Sequence, residues 1–154
     1  MMLPSPALPD LDMEMTRPLM PKRPRHEGLK AWVACHELAL AVYRVTSEWP
    51  MKEQYGLTSQ ARRAAYSAAA NIAEGSAKRG KREFRRFLDV ALGSIAELTY
   101  ILLLARDLGY LKCELWGEIE AIRDHAGRLT WASTDRSTAQ PTDDEQNPDV
   151  SLTQ

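Results

Sequence analysis

Few residues in this chain have the type and spacing to do chemistry, and most of those are cations. Lys78, Arg79, Lys81, Arg82, Arg85 and Arg86 stand within nine consecutive positions, KRGKREFRR, interrupted by one anion, Glu83. Arg62 and Arg63 precede them on what reads as the previous helix. Contact with phosphate needs only suitably spaced cations, so this set suits RNA or DNA. Reading a base sequence needs side chains that reach base edges, and none is evident here. The competing reading is a solvated face on which Glu83 pairs locally. The stretch GSAKRGKR, residues 75 to 82, also matches the opening of a phosphate-binding loop, GxxxxGK. Arg82 stands where a Ser or Thr should hold magnesium, and a helix rather than a strand precedes it, so the stretch reads as a connection between helices.

Other chemistries lack their parts. His26, His36 and His125 do not follow a glutamate by three residues, so the Glu-x-x-His element of a carboxylate-bridged metal bundle is missing. Cys35 and Cys113 lie far apart without CxxC spacing, which suggests neither a zinc site nor a redox pair. No metal or other cofactor is expected. Asn71, Glu74, Ser94 and Glu97 fall beside apolar stripe positions of two successive helices. A carboxylate buried there would need a partner, for which Arg62, Arg63 and Arg106 are candidates. The expected role of the four is a polar network that fixes helix register. No nucleophile stands near a base, so no catalytic residue is expected.

These residues must be positioned by helices. Trp32, Cys35, Ala39, Val42, Val45 and Trp49 recur every three or four residues, and Pro50 stops that first helix. Gly56 and Thr58 mark a turn, with Thr58 as a plausible N-cap for a second helix from about Ser59 into the mid-seventies. Its inner face is small: Ala61, Ala64, Ala65, Ala68, Ala69 and Ile72. A third helix carries Phe84, Phe87, Leu88, Ala91, Ile95, Leu98, Leu102, Ala105 and Leu108, with Val90, Ile101, Leu103 and Leu104 extending its apolar surface beyond one stripe. Such a helix is either central or shared with another subunit. Gly109 is placed to end it in left-handed conformation. Leu111, Leu115, Ile119, Ile122, Ala126 and Leu129 form a fourth stripe ending near Trp131, weakened by Gly117 and Gly127. With no alternating strand pattern and short connections, an all-α, antiparallel up-down four-helix bundle is expected.

Composition sets the bounds of that bundle. Residues 1 to 28 contain six of the nine prolines and no aromatic residue, so they read as a disordered leader without the apolar stretch of a secretory signal. Residues 132 to 154 also lack aromatics and carry a net charge of −4, an acidic disordered tail. Residues 29 to 131 are the expected bundle. The whole chain's −1 hides +5 within residues 57 to 90. The longest fully apolar runs, residues 101 to 105 among them, are far short of the roughly 20 residues that cross a bilayer. A cytoplasmic setting with no membrane partner is expected.

The segments YGLTSQARRAA (55 to 65), ANIAEG (70 to 75), FRRFLDVALGSIAEL (84 to 98) and LLLARDLGYL (102 to 111) resemble the bacterial four-helix-bundle proteins encoded within ribosomal-RNA intervening sequences. The resemblance spans residues 29 to about 130. It implies a non-enzymatic protomer that assembles into a homopentamer with a basic outer surface. A related branch, the accessory variability proteins of diversity-generating retroelements, implies a reverse transcriptase and nucleic acid as partners. Asn71, Glu74, Gly75, Ser94 and Glu97 match the family's signature polar and glycine positions, and Arg62, Arg63, Arg85 and Arg86 its basic ones. Where the family reads SIPANIAEG this chain has SAAANIAEG, which should straighten the second helix. Lys112 replaces the usual serine cap of the last helix, and the acidic tail is unusual. The expected function is therefore a homo-oligomer that binds nucleic acid without sequence preference; the alternative is a protein-binding scaffold, such as a reverse-transcriptase accessory subunit.

Overall fold

An alanine-rich helix brings a neighbouring backbone close because it has little side-chain bulk at the seam. In the computed structural model, which describes residues 24–138, that helix is α2 (Leu57–Ala77) and its neighbour is α3 (Lys81–Asp107). Helices α1 (Lys30–Thr46) and α4 (Cys113–Thr138) complete a four-helix bundle. Single 3-10 turns at Arg25–Gly28 and Met51–Glu53 flank α1, and no strand occurs among the described residues. The helices pack in a square: α1 beside α2 and α4, α3 beside α2 and α4, with the diagonal pairs farther apart. Cross-links show that neighbours run antiparallel. Thr46 meets Arg62, Ser67 meets Ser94, and Lys81 meets Ser137. Cys35, early in α1, meets Thr130, late in α4.

The expected inner face of α2 is buried throughout, from Ala61 to Ile72. It continues to Gly75, where an added Cβ would lie 2.6 Å from Phe87 Cβ. The fully buried side chains Leu38, Ile72, Leu88, Leu98, Leu102 and Ile119 draw on all four helices and form one core. Helix α2 runs unbroken through Ala68 and Ala69, as expected of a chain without proline there.

Helix α3 ends as Gly109 predicts. Gly109 has φ +75°, its N–H bonds Arg106 O at 2.9 Å, and the Tyr110 N–H bonds Ala105 O at 2.8 Å, the paired bonds of a Schellman cap. By length and composition α3 is the one described helix long and apolar enough to cross a membrane, a property the longest apolar runs do not reveal. A bundle's core helix passes the same test, and the inner face of α3 is packed here against α2 and α4.

Three boundaries differ from expectation. Helix α1 stops at Thr46, and Trp49 folds back into the core from the following turn. Helix α2 begins at Leu57, and Thr58 is not its cap. The Thr58 side chain is buried inward, and Glu53 Oε2 accepts the Leu57 N–H at 3.2 Å instead. Helix α4 continues seven residues past Trp131 to Thr138, because Thr130 and Thr134 keep an inward stripe going with hydroxyls bonded to their own helix's carbonyls. The predicted leader and tail otherwise lie outside the described residues, apart from the Arg25–Gly28 turn.

Candidate functional site

Antiparallel packing gives the bundle two unlike ends. The α2–α3 elbow, the start of α1 and the finish of α4 make one end, and the predicted basic cluster is divided between it and the other. Lys78, Arg79, Lys81, Arg82, Arg85 and Arg86 lie at or just beyond the elbow, where Gly80 has φ +90° and so allows the reversal of direction. Arg62 and Arg63 sit 16 and 15 residues before Lys78 on α2, roughly 23 Å away along the helix axis. They do not join the elbow. Arg62 is committed locally: its Nε donates to Thr46 Oγ1 at 2.9 Å and its guanidinium lies 4.9 Å from the centre of the Tyr43 ring. Arg63 is exposed.

Within the elbow, three cations have carboxylate neighbours three or four residues away along the chain. Lys78 pairs with Glu74 at 3.2 Å, Arg86 with Glu83 at 3.7 Å and Arg85 with Asp89 at 4.0 Å. All are solvent-exposed pairs of the kind worth little, so they leave these cations open to exchange for a stronger anion. Arg79 and Arg82 are exposed, with no ion pair among the described residues.

The structure adds cations that the sequence reading assigned elsewhere. The turn at Arg25–Gly28 is held on α1 by an aromatic stack, with His26 4.7 Å from Trp32 and Trp32 5.1 Å from His36. This docks Arg25, nominally in the leader, beside the elbow. Two adjoining grooves result. One, of about 380 Å³, is lined by Arg25, Lys78, Lys81, Ser76 and Phe84 among others. The second, of about 430 Å³, shares Lys81 and Phe84 and adds Lys30, Arg136, Ser133 and Ser137. Five cations line the two grooves, and neither lining contains a carboxylate. The starts of α1 and α3 both open here without a side-chain cap, leaving backbone N–H groups that also favour an anion. Chain order hides this assembly: Arg25, Lys81 and Arg136 are brought together only because α1 and α3 begin where α2 and α4 end.

The four predicted network residues separate as well. Ser94 is buried, its Oγ 3.0 Å from Ser67 Oγ, and Asn71 Nδ2 donates to Ser67 O at 2.8 Å and Ser67 Oγ at 3.1 Å. The network is therefore Ser67, Asn71 and Ser94. Ser67 was legible as the residue one helical turn before Asn71. Glu74 and Glu97 do not take part. Glu74 is an exposed partner of Lys78, and Glu97 is exposed on the outer face of α3. Arg106 turns to Asp107 at 2.8 Å and stacks over Trp116 rather than crossing the seam.

Cys35 is fully buried, and burial pushes its thiol above its ordinary pKa against a smaller opposing pull from the Thr130 hydroxyl, so it is not an activated thiolate. No group of three or more His, Cys, Asp or Glu side chains is gathered among the described residues.

Fold and site together define a helical-bundle protein with one concentrated cationic end. Residues 27–131 match the model of the 23S rRNA-intervening sequence protein family, and the chain belongs to that family. Among solved structures it is similar to a protein of unknown function from the S23 ribosomal protein family of Bacteroides thetaiotaomicron. The two share 22% identity with a TM-score of 0.62, over 68% of this chain and 97% of that one. At that identity the likeness supports the fold alone. No curated protein matches the chain significantly.

Proposed function

We propose that this chain is a non-catalytic, homo-oligomeric protein that grips the phosphate backbone of nucleic acid with the elbow end of its bundle and does not read the bases. The observation that carries this reading is the pair of adjoining grooves lined by five cations and no carboxylate, with exposed Arg79 and Arg82 nearby. The family's name refers to an intervening sequence of 23S rRNA, which makes RNA the first polyanion to test. The test is binding of a short RNA or DNA duplex across salt. If each protomer neutralises about three to five phosphates, the log–log slope per protomer lies between about −3 and −4.5. Tight binding with a flat slope, or no binding at low salt, rejects the reading.

Oligomerisation is supported by the outer face of α3. Val90, Gly93, Glu97, Tyr100 and Leu104 recur there at alternating steps of three and four, and Tyr100 is 64% exposed. Its apolar members, Val90, Tyr100 and Leu104, offer a second helix a surface interrupted by Gly93 and Glu97. The resemblance sets five copies as the expected number, which light scattering would read as five times 17.3 kDa. The same stripe would equally serve a protein-binding scaffold such as a reverse-transcriptase accessory subunit. A protein that remains monomeric at micromolar concentration would favour that second reading.

A further inference from the structure

We propose that the two cationic grooves at the elbow end are the docking site of the chain's own acidic segment, residues 139–154, which a polyanion must displace in order to bind. The inference rests on the reading of this end as a polyanion surface, and it adds an occupant and a control.

Position comes first. Helix α4 delivers the segment directly to the grooves: Arg136 and Ser137 are lining residues, and Ser137 Oγ donates to Lys81 O at 3.1 Å, one residue before the last described position. From Thr138 to Asp143 is five residues, which span at most about 17 Å when fully extended. That reach would let Asp143, Asp144 and Glu145 approach Lys81, Lys30 and Arg25. Lys52 and Lys112 lie at the opposite end of the bundle.

Charge complementarity is the second observation. Residues 139–154 contain Asp143, Asp144, Glu145 and Asp149 and no Lys or Arg, whereas five cations line the grooves, Arg25 and Lys30 among them, and Lys78 is in an exposed pair with Glu74 that a competing carboxylate can exchange. Residues 1–23 also lead to this end, but their three carboxylates are balanced by three cations, so they offer no comparable match. Exposed carboxylate–cation pairs are individually weak. A tether changes the outcome, because a short linker holds the carboxylates at an effective concentration in the millimolar range, where weak contacts suffice.

Because releasing the segment breaks ion pairs that salt itself weakens, the docked segment should lower affinity for nucleic acid and make the salt slope shallower than in a chain with a neutral segment, without abolishing it. The variant Asp143→Asn, Asp144→Asn, Glu145→Gln, Asp149→Asn keeps the full chain and every described helix. It should bind a duplex about fivefold more tightly at low salt, with a steeper slope. An independent readout needs no nucleic acid. Carbodiimide coupling of carboxylates to lysines in the full-length protein, followed by peptide mapping, should join residues 143–149 to Lys30, Lys78 or Lys81 and leave them unjoined to Lys52 and Lys112. Coupling to none of these lysines, or equally to both ends, overturns the proposal, as does unchanged duplex affinity in the neutralised variant when the unmodified chain binds. If coupling is confined to the elbow lysines while neither protein binds a duplex, the docking stands and the nucleic-acid reading fails.

Discussion

Where α1 turns into α2, the cations are largely committed. Arg62 is bonded to Thr46 and stacked on Tyr43, Lys112 is paired with Glu48, Lys52 lies over the Tyr110 ring, and Arg106 is held by Asp107 and Trp116. At the opposite end Arg25, Lys30, Lys78, Lys81 and Arg136 face two grooves without a carboxylate in the lining. The ends differ in what surrounds their cations. At the first end the cations bridge different elements, whereas at the elbow Lys78 pairs with Glu74 one turn away and Arg136 bonds its own helix, contacts that do not join one helix to another.

The widest difference between the ends should appear in their cysteines. Cys35 is fully buried toward the elbow end, whereas Cys113 is exposed at the other. Cys113 should react with a thiol reagent at the rate of a small peptide. Cys35 should react at least about a thousandfold more slowly, since access requires a large opening of the bundle. The sign of the pH effect follows from the raised Cys35 thiol. An acid whose folded pKa is raised lends stability below its unfolded value and loses it as pH rises from there toward the folded value. The unfolding midpoint should therefore fall above about pH 8.5, and less so in Cys35→Ala. Equal labelling rates would show that the α1–α4 contact is open in solution.

Cation removal should separate the ends by function. The triple variant Arg25→Ala, Lys81→Ala, Arg136→Ala should weaken duplex binding about a hundredfold at low salt and reduce the slope by about three. Arg62→Ala with Arg63→Ala should change affinity less than about twofold per contact, because neither lines a groove. Equal losses from both variants would place the binding face along the side of α2 rather than at the elbow.

The glycines test how tightly each end is built. Gly75→Ala should cost about 1–3 kcal/mol, because its Cβ would lie 2.6 Å from Phe87 Cβ and 3.0 Å from Phe84 Cδ2. Gly117→Ala, in open space on α4, should instead gain about 1 kcal/mol from helix propensity. Denaturant unfolding reads both signs. A Gly75→Ala protein of unchanged stability would mean that α2 and α3 separate easily near the elbow, leaving the grooves less well formed.

The bundle was legible because three- and four-residue spacing states which face of a helix is buried, and the alanines of α2 and the Gly109 cap carried their meaning locally. The site was legible only in part. KRGKREFRR is legible as a run, whereas the distance of Arg62 and Arg63 from it is not, because it is set by the roughly 23 Å of helix axis between them. Arg25 and Arg136 carried no local signal, since their place depends on where antiparallel helices begin and end. Glu74 and Glu97 looked buried because they adjoin stripe residues, yet one position along a helix is a turn of 100° and can lead outward.

The smallest expected effect distinguishes fastening from binding most directly. Arg62→Ala removes a hydrogen bond to a buried threonine and a guanidinium over Tyr43, and should cost about 0.5–1.5 kcal/mol. Thr46 Oγ1 keeps its own bond to Tyr43 O at 3.3 Å, so no buried donor is orphaned and the loss stays modest. Arg82→Ala, an exposed cation without an ion pair among the described residues, should change stability by less than about 0.5 kcal/mol. Its effect should fall on the salt slope of duplex binding. If Arg82→Ala destabilised the fold as much as Arg62→Ala, the elbow cations would be structural too, and their availability to a polyanion would lose its physical basis.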